Sequence, residues 1–149
     1  MRIRTLAAVT FALFVGTTLA SAASKDDAVA MVKKTVAVIK TDGAEKAYAA
    51  INTPGSAYQN GEVYVVVLGA DGTTLAHPVN PKLIGKNMME VQDVDGKFFT
   101  KDMVTRSKTE ASFWYDFKFV NPATKKIQVK DMYCEALPPT TICAGVYRP

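Results

Sequence analysis

The sequence predicts an α+β domain: a five-stranded antiparallel sheet with a long N-terminal helix on one face and loops on the other. Three stretches carry that prediction. Val29, Val32, Val36 and Ile39 recur at helical spacing. Tyr64-Val65-Val66-Val67-Leu68 is an apolar run with little polar interruption, so both its faces are expected to be covered; Gly69-Ala70-Asp71-Gly72 then reverses the chain into Thr73–Pro78. Ser112 to Val120 alternates, with Phe113, Tyr115, Phe117 and Phe119 on one face and Trp114, Asp116 and Lys118 on the other.

Taken in order, the chain opens with a short basic head, Met1-Arg2-Ile3-Arg4, and an apolar run from Leu6 to Leu19 that ends at the small residues Ala20-Ser21-Ala22. The run falls short of the roughly 20 residues a bilayer span needs, so residues 1–22 read as a cleaved signal peptide. Residues 23–149 then form one domain, located in the periplasm or secreted. The formal charge is +4, and loss of Arg2 and Arg4 leaves +2. So modest a charge gives no reason to expect a nucleic-acid partner.

Asp26 to Ile51 reads as helix, with Asp26 or Asp27 offsetting the dipole at its start. Thr41-Asp42-Gly43 either bends it or restarts it, and Asp42 with Glu45 has capping-box spacing. Asn52 to Gly61 holds Pro54-Gly55 and Asn60-Gly61 and reads as irregular. After the hairpin, Pro78 to Asn87 carries two prolines and a glycine, which marks a loop. Met88 to Val91 reads as a short turn, Asp93 to Gly96 as another, and Thr100 to Ser107 as a short helix capped by Thr100. Strands follow at Ser112–Val120, Ile127–Ala136 and Ile142–Tyr147.

The two cysteines, Cys134 and Cys143, lie nine positions apart across Leu137-Pro138-Pro139-Thr140. Export permits a disulfide there, and neighbouring strands would bring the sulfurs together. The alternative is a pair of free thiols, since a redox-active pair would want Cys-x-x-Cys spacing. His77 is the only histidine, which rules out a multi-histidine zinc site. Asp93-Val94-Asp95-Gly96 begins like a calcium loop, but Val104 stands where such a loop places its glutamate. No nucleophile can be assigned to His77. Neither a metal, a cofactor nor an enzymatic activity is therefore expected.

Tyr64-Val65-Val66-Val67, Leu75-Ala76-His77-Pro78, Asn80-Pro81, Leu83-Ile84-Gly85-Lys86-Asn87, Asp95-Gly96-Lys97, Phe113-Trp114, Lys130, Tyr133 and Gly145-Val146-Tyr147 together resemble a single Cache domain of the second type. The resemblance covers nearly all of residues 23–149. It implies a PAS-like sheet behind a long N-terminal helix, in an extracytoplasmic sensor domain that binds small organic molecules, often carboxylates. Relatives usually sit between membrane segments of chemoreceptors or kinases, whereas this chain is expected to be free-standing and secreted.

The candidate ligand-binding residues are Tyr64, His77, Trp114, Lys130 and Tyr133. Lys130 would supply the charge for a carboxylate, His77 a ring N–H, Tyr64 or Tyr133 a hydroxyl, and Trp114 an apolar wall. Lys130 and Tyr133 have opposite strand parity, so a pocket using both needs a bulge or an edge position. The leading expectation is a sensor domain for a small organic carboxylate that passes occupancy to a membrane receptor or kinase. The alternative is a secreted structural or protein-interaction domain that has lost its small ligand. The Asp26–Ile51 helix is long enough to leave a part free for a homodimer contact.

Overall fold

The computed structural model describes residues 23–149, so the predicted signal peptide lies outside the described residues. Two helices open the domain, α1 (Lys25–Asp42) and α2 (Ala44–Asn52). Ser24 caps α1: its hydroxyl accepts from the Asp27 amide, and the Asp27 side chain accepts from the Ser24 amide. The predicted Asp26–Ile51 helix is thus two helices. Gly43 divides them at φ 89°, ψ 155°, a backbone no helix contains. The Asp42–Glu45 capping box does not form, because Gly43 itself is the α2 cap and supplies no side chain.

Six strands follow: β1 (Gln59–Asn60), β2 (Val63–Gly69), β3 (Thr74–Ala76), β4 (Ser112–Val120), β5 (Ile127–Leu137) and β6 (Thr140–Tyr147). The five predicted strands are all present, and the two-residue β1 is additional. Every pairing is antiparallel, in the order β2-β6-β5-β4, with β1 and β3 sharing the outer edge of β2. A third helix, α3 (Phe99–Arg106), and a short 3-10 turn at Pro81–Leu83 lie between β3 and β4. Among the described residues no helix is long and apolar enough to cross a membrane.

Strand alternation sorts the side chains into two cores. Val63, Val65 and Val67 of β2, with Ile142, Ala144 and Val146 of β6, pack under Ala28, Val32 and Val36 of α1. The other face carries Leu68, Phe113, Phe117, Met132 and the two cysteines, packed against Phe99, Met103 and Val104 of α3. That face is therefore covered by a helix as well as by loops. β2 is buried on both sides, as its unbroken apolar sequence requires.

Cys134 and Cys143 face each other in the β5–β6 register and form a disulfide with no exposed surface. Met103 Sδ rests 3.6 Å from Cys134 Sγ. Gly145, also on β6, lies opposite Met132; a Cβ there would meet Asp131 O at 2.5 Å and Met132 Sδ at 2.6 Å. The backbone carbonyl cannot move aside, so only glycine fits.

Two outcomes follow from this packing. Replacing both cysteines by alanine should lower stability by about 2–3 kcal/mol, the entropy of a loop this short, read as a lower urea midpoint. Gly145→Ala should cost about 1–3 kcal/mol in the same measurement.

Candidate functional site

Between the sheet and α3 lies a cavity of about 40 Å³. That gives room for roughly three water-sized groups. Its walls are mostly apolar, with Val66 and Leu68 from β2, Phe99 and Met103 from α3, Phe117 from β4 and Met132 from β5. The polar groups that reach it are Tyr64, Thr74, His77, Thr100 and Lys130. Among the described residues no aspartate or glutamate lines it.

Lys130 is the dominant electrostatic feature. It shares a β5 face with Met132 and Cys134, and only 1 % of its surface is exposed. Its Nζ lies 3.6 Å from the centre of the Tyr64 ring and 4.9 Å from that of Tyr147, its β6 partner in register. Two ring faces stabilise an ammonium by cation–π attraction. They do not replace a counter-ion, and among the described residues no carboxylate pairs with it. Burial pushes its pKa down, opposed by Tyr64 and by the more distant Glu62. Among the described residues, no side-chain nitrogen or oxygen sealed from water-sized space lacks a partner. Tyr64 is the polar side chain nearest the ammonium, and Lys130 lines the cavity beside it.

His77 sits where β3 ends. Asn52, at the end of α2, holds that exit: its side chain accepts from the His77 amide at 2.9 Å and donates to Leu75 O at 3.5 Å. Nδ1 of His77 accepts from the Asn80 amide at 3.0 Å. The proton of the neutral ring therefore resides on Nε2. Burial, then repulsion from Lys130, pushes the imidazole pKa down to about 4. The ring packs 5.1 Å from that of Tyr64, centre to centre.

Tyr64, His77 and Lys130 thus meet at one cavity, whereas Trp114 and Tyr133 do not reach it. β5 runs beside β4 and β6 with no shift of register, so Tyr133 points to the face opposite Lys130. Its cross-strand partner Trp114 goes with it, the rings 5.3 Å apart, with Lys25 Nζ 4.9 Å above the indole. The Tyr133 hydroxyl donates to Glu135. Tyr64 also differs from its predicted part: Tyr147 OH donates to Val120 O at 2.9 Å, which leaves Tyr64 OH to donate to Tyr147 OH at 3.2 Å. It offers the cavity a ring face and no free proton.

Sequence reasoning missed Thr74, Thr100 and the methionines Met103 and Met132. Parity along β5 was the available signal for Met132, two residues from Lys130. Thr100 and Met103 sit three apart on α3, one helical face. The helix itself was legible, but its docking on the sheet was not. Among the described residues no group of three or more His, Cys, Asp or Glu side chains is placed to hold a metal ion.

The model of the single Cache domain 2 family matches residues 20–147. No curated protein matches the sequence. Among solved structures, a methyl-accepting chemotaxis protein from Vibrio parahaemolyticus is similar at TM-score 0.69 and 19% identity, over 83% of this chain and 87% of that one. A periplasmic sensor domain of a chemotaxis protein gives 0.62 and 19%, over 83% and 90%. A Cache chemosensory domain described for its carboxylic acid recognition gives 0.64 and 16%, over 83% and 88%. Identities this low establish a shared fold. With the family match spanning almost the whole described domain, the chain belongs to the single Cache domain 2 family, a family of PAS-like sensory domains that bind small ligands.

Proposed function

We propose that this protein is an extracytoplasmic sensor domain that captures a small organic monocarboxylate and passes its occupancy to a membrane receptor or kinase. The observation that carries the reading is a buried ammonium, Lys130, with no carboxylate paired to it among the described residues, lining a mostly apolar cavity. An isolated buried charge is costly, and an entering carboxylate is the group that relieves it. His77 contributes its Nε2–H and remains uncharged, so the cavity holds one positive charge rather than two. The absence of any lining acid disfavours amino acids and amines, whose ammonium would find no partner. The small volume favours a ligand of a few heavy atoms. The event is binding alone, with no covalent step, and the carboxylic acid recognised by the similar Cache domain is in keeping with it.

A second reading has one observation in its favour. Phe99 and Met88 both project into the cavity and help to make it small, as in a domain that has lost its ligand and serves as a secreted interaction module. A thermal-shift screen of residues 23–149 decides between the two. Small monocarboxylates should raise the melting temperature by several degrees at a hundredfold excess over Kd, where linkage gives about 2.7 kcal/mol. Their amides should not. If no carboxylate moves the transition, the interaction reading replaces this one.

Lys130→Met should abolish the carboxylate response. Without ligand it should also stabilise the protein by the order of 1 kcal/mol, because an uncompensated buried charge gives way to an apolar side chain of similar length.

His77 sets a pH dependence whose sign is fixed by the downward shift. The unfolded imidazole takes its proton near 6.5 and the folded one near 4. The stability that neutral His77 contributes is complete above 6.5 and is lost as pH falls towards 4. Urea unfolding at pH 7 and pH 4.5 should show a loss of roughly 2 kcal/mol that His77→Gln removes.

A further inference from the structure

We propose that the ligand carboxylate is seated between Lys130 and the uncapped N-terminus of α3, with Thr100 as the residue that determines specificity for it. This rests on the carboxylate reading above and adds where in the cavity the anion goes.

The first turn of α3 is short of acceptors. Its N-cap is Phe98, which has no side-chain oxygen and makes no capping hydrogen bond. The first amide to find a helical acceptor is that of Asp102, which donates to Phe98 O at 2.9 Å. The amides of Phe99, Thr100 and Lys101 precede it, and among the described residues none has an acceptor. Such orphan donors normally go to a capping side chain or to water. Phe99 and Thr100 are only 6 % and 1 % exposed, and both line the cavity. The one acid in this turn, Asp102, accepts from Tyr115 OH at 2.6 Å.

Thr100 adds a side-chain donor at the same place. A threonine inside a helix commonly returns its hydroxyl to the carbonyl four residues back, as Thr35 does to Met31 O at 2.8 Å. For Thr100 that position is Gly96, outside the helix, and its hydroxyl has no partner among the described residues. Backbone amides at a helix N-terminus, a free hydroxyl and the positive end of the helix dipole make an anion seat. Lys130 is the independent sign that the seat is meant for a ligand, since its buried ammonium, with no carboxylate paired to it among the described residues, lines the same cavity.

The test uses residues 23–149 with acetate and propionate as probes, followed by calorimetry and by amide proton shifts in NMR. Acetate or propionate should move the Phe99 and Thr100 amide protons downfield. Thr100→Val, which keeps the shape and deletes the hydroxyl, should weaken binding about tenfold, and Thr100→Ser should restore most of it. If neither probe binds the unaltered domain, the carboxylate reading itself fails. If binding is intact and Lys130-dependent, yet Thr100→Val binds as tightly and the two amides stay put, the seat lies elsewhere in the cavity and this inference is overturned.

Discussion

The structure depends on one electrostatic constraint, a lysine ammonium enclosed in a domain core with no carboxylate paired to it among the described residues. Desolvation opposes that charge, and the fold answers with polarisable surfaces, the faces of Tyr64 and Tyr147. The two tyrosines are tied to each other through their hydroxyls, and Tyr147 is anchored to Val120 O. Their geometry is thus fixed by β2, β6 and the end of β4 together. A site of this kind is stabilised least when empty and most when an anion enters, which is the behaviour a sensor requires.

Strict alternation along β5 separates this site from a second cluster of charges. Lys130 faces the cavity, while its neighbour Asp131 faces the helix side and accepts from Arg148 at 2.6 Å and pairs with Lys25 at 3.4 Å. Those contacts lower the Asp131 pKa, chiefly through Arg148. They also join the start of α1 to the last residues of the chain, through the strand that carries the cavity lysine. One strand therefore has a polar contact to Lys25 and Arg148 on one face and the cavity lysine on the other.

The segment between β3 and β4 has a structural task besides lining the cavity. β4 is an edge strand, and unpaired edge groups invite association with other strands. Here Arg106 donates to Trp114 O, Lys97 donates to Asp116 O, and Asp93 accepts from the Lys118 amide. Side chains from the excursion thus occupy the edge and pin the excursion to the sheet. The same pinning holds α3 over the cavity.

Local sequence signals determined much of this architecture. Apolar spacing placed the first helices, Asp71-Gly72 placed the hairpin, and alternation placed β4 and β5, because each signal acts over a few residues of one element. Cys134 and Cys143 were legible as a pair for the same reason: they flank one tight turn. The sequence also allowed Tyr64, His77 and Lys130 to share a cavity. It could not exclude Tyr133 and Trp114, since a bulge in β5 would have reversed the side of Tyr133, and only the assembled register shows that none occurs and that Trp114 lies opposite Tyr133 on the same face. Nor could it show α3 closing the far face with an uncapped end turned inward, because docking is set by contacts between Phe99, Met103 and residues far along the chain. The sequence by itself determined which side chains each element offers to each face. The tertiary structure alone decided which faces close on one another, because that choice depends on burial summed over distant segments.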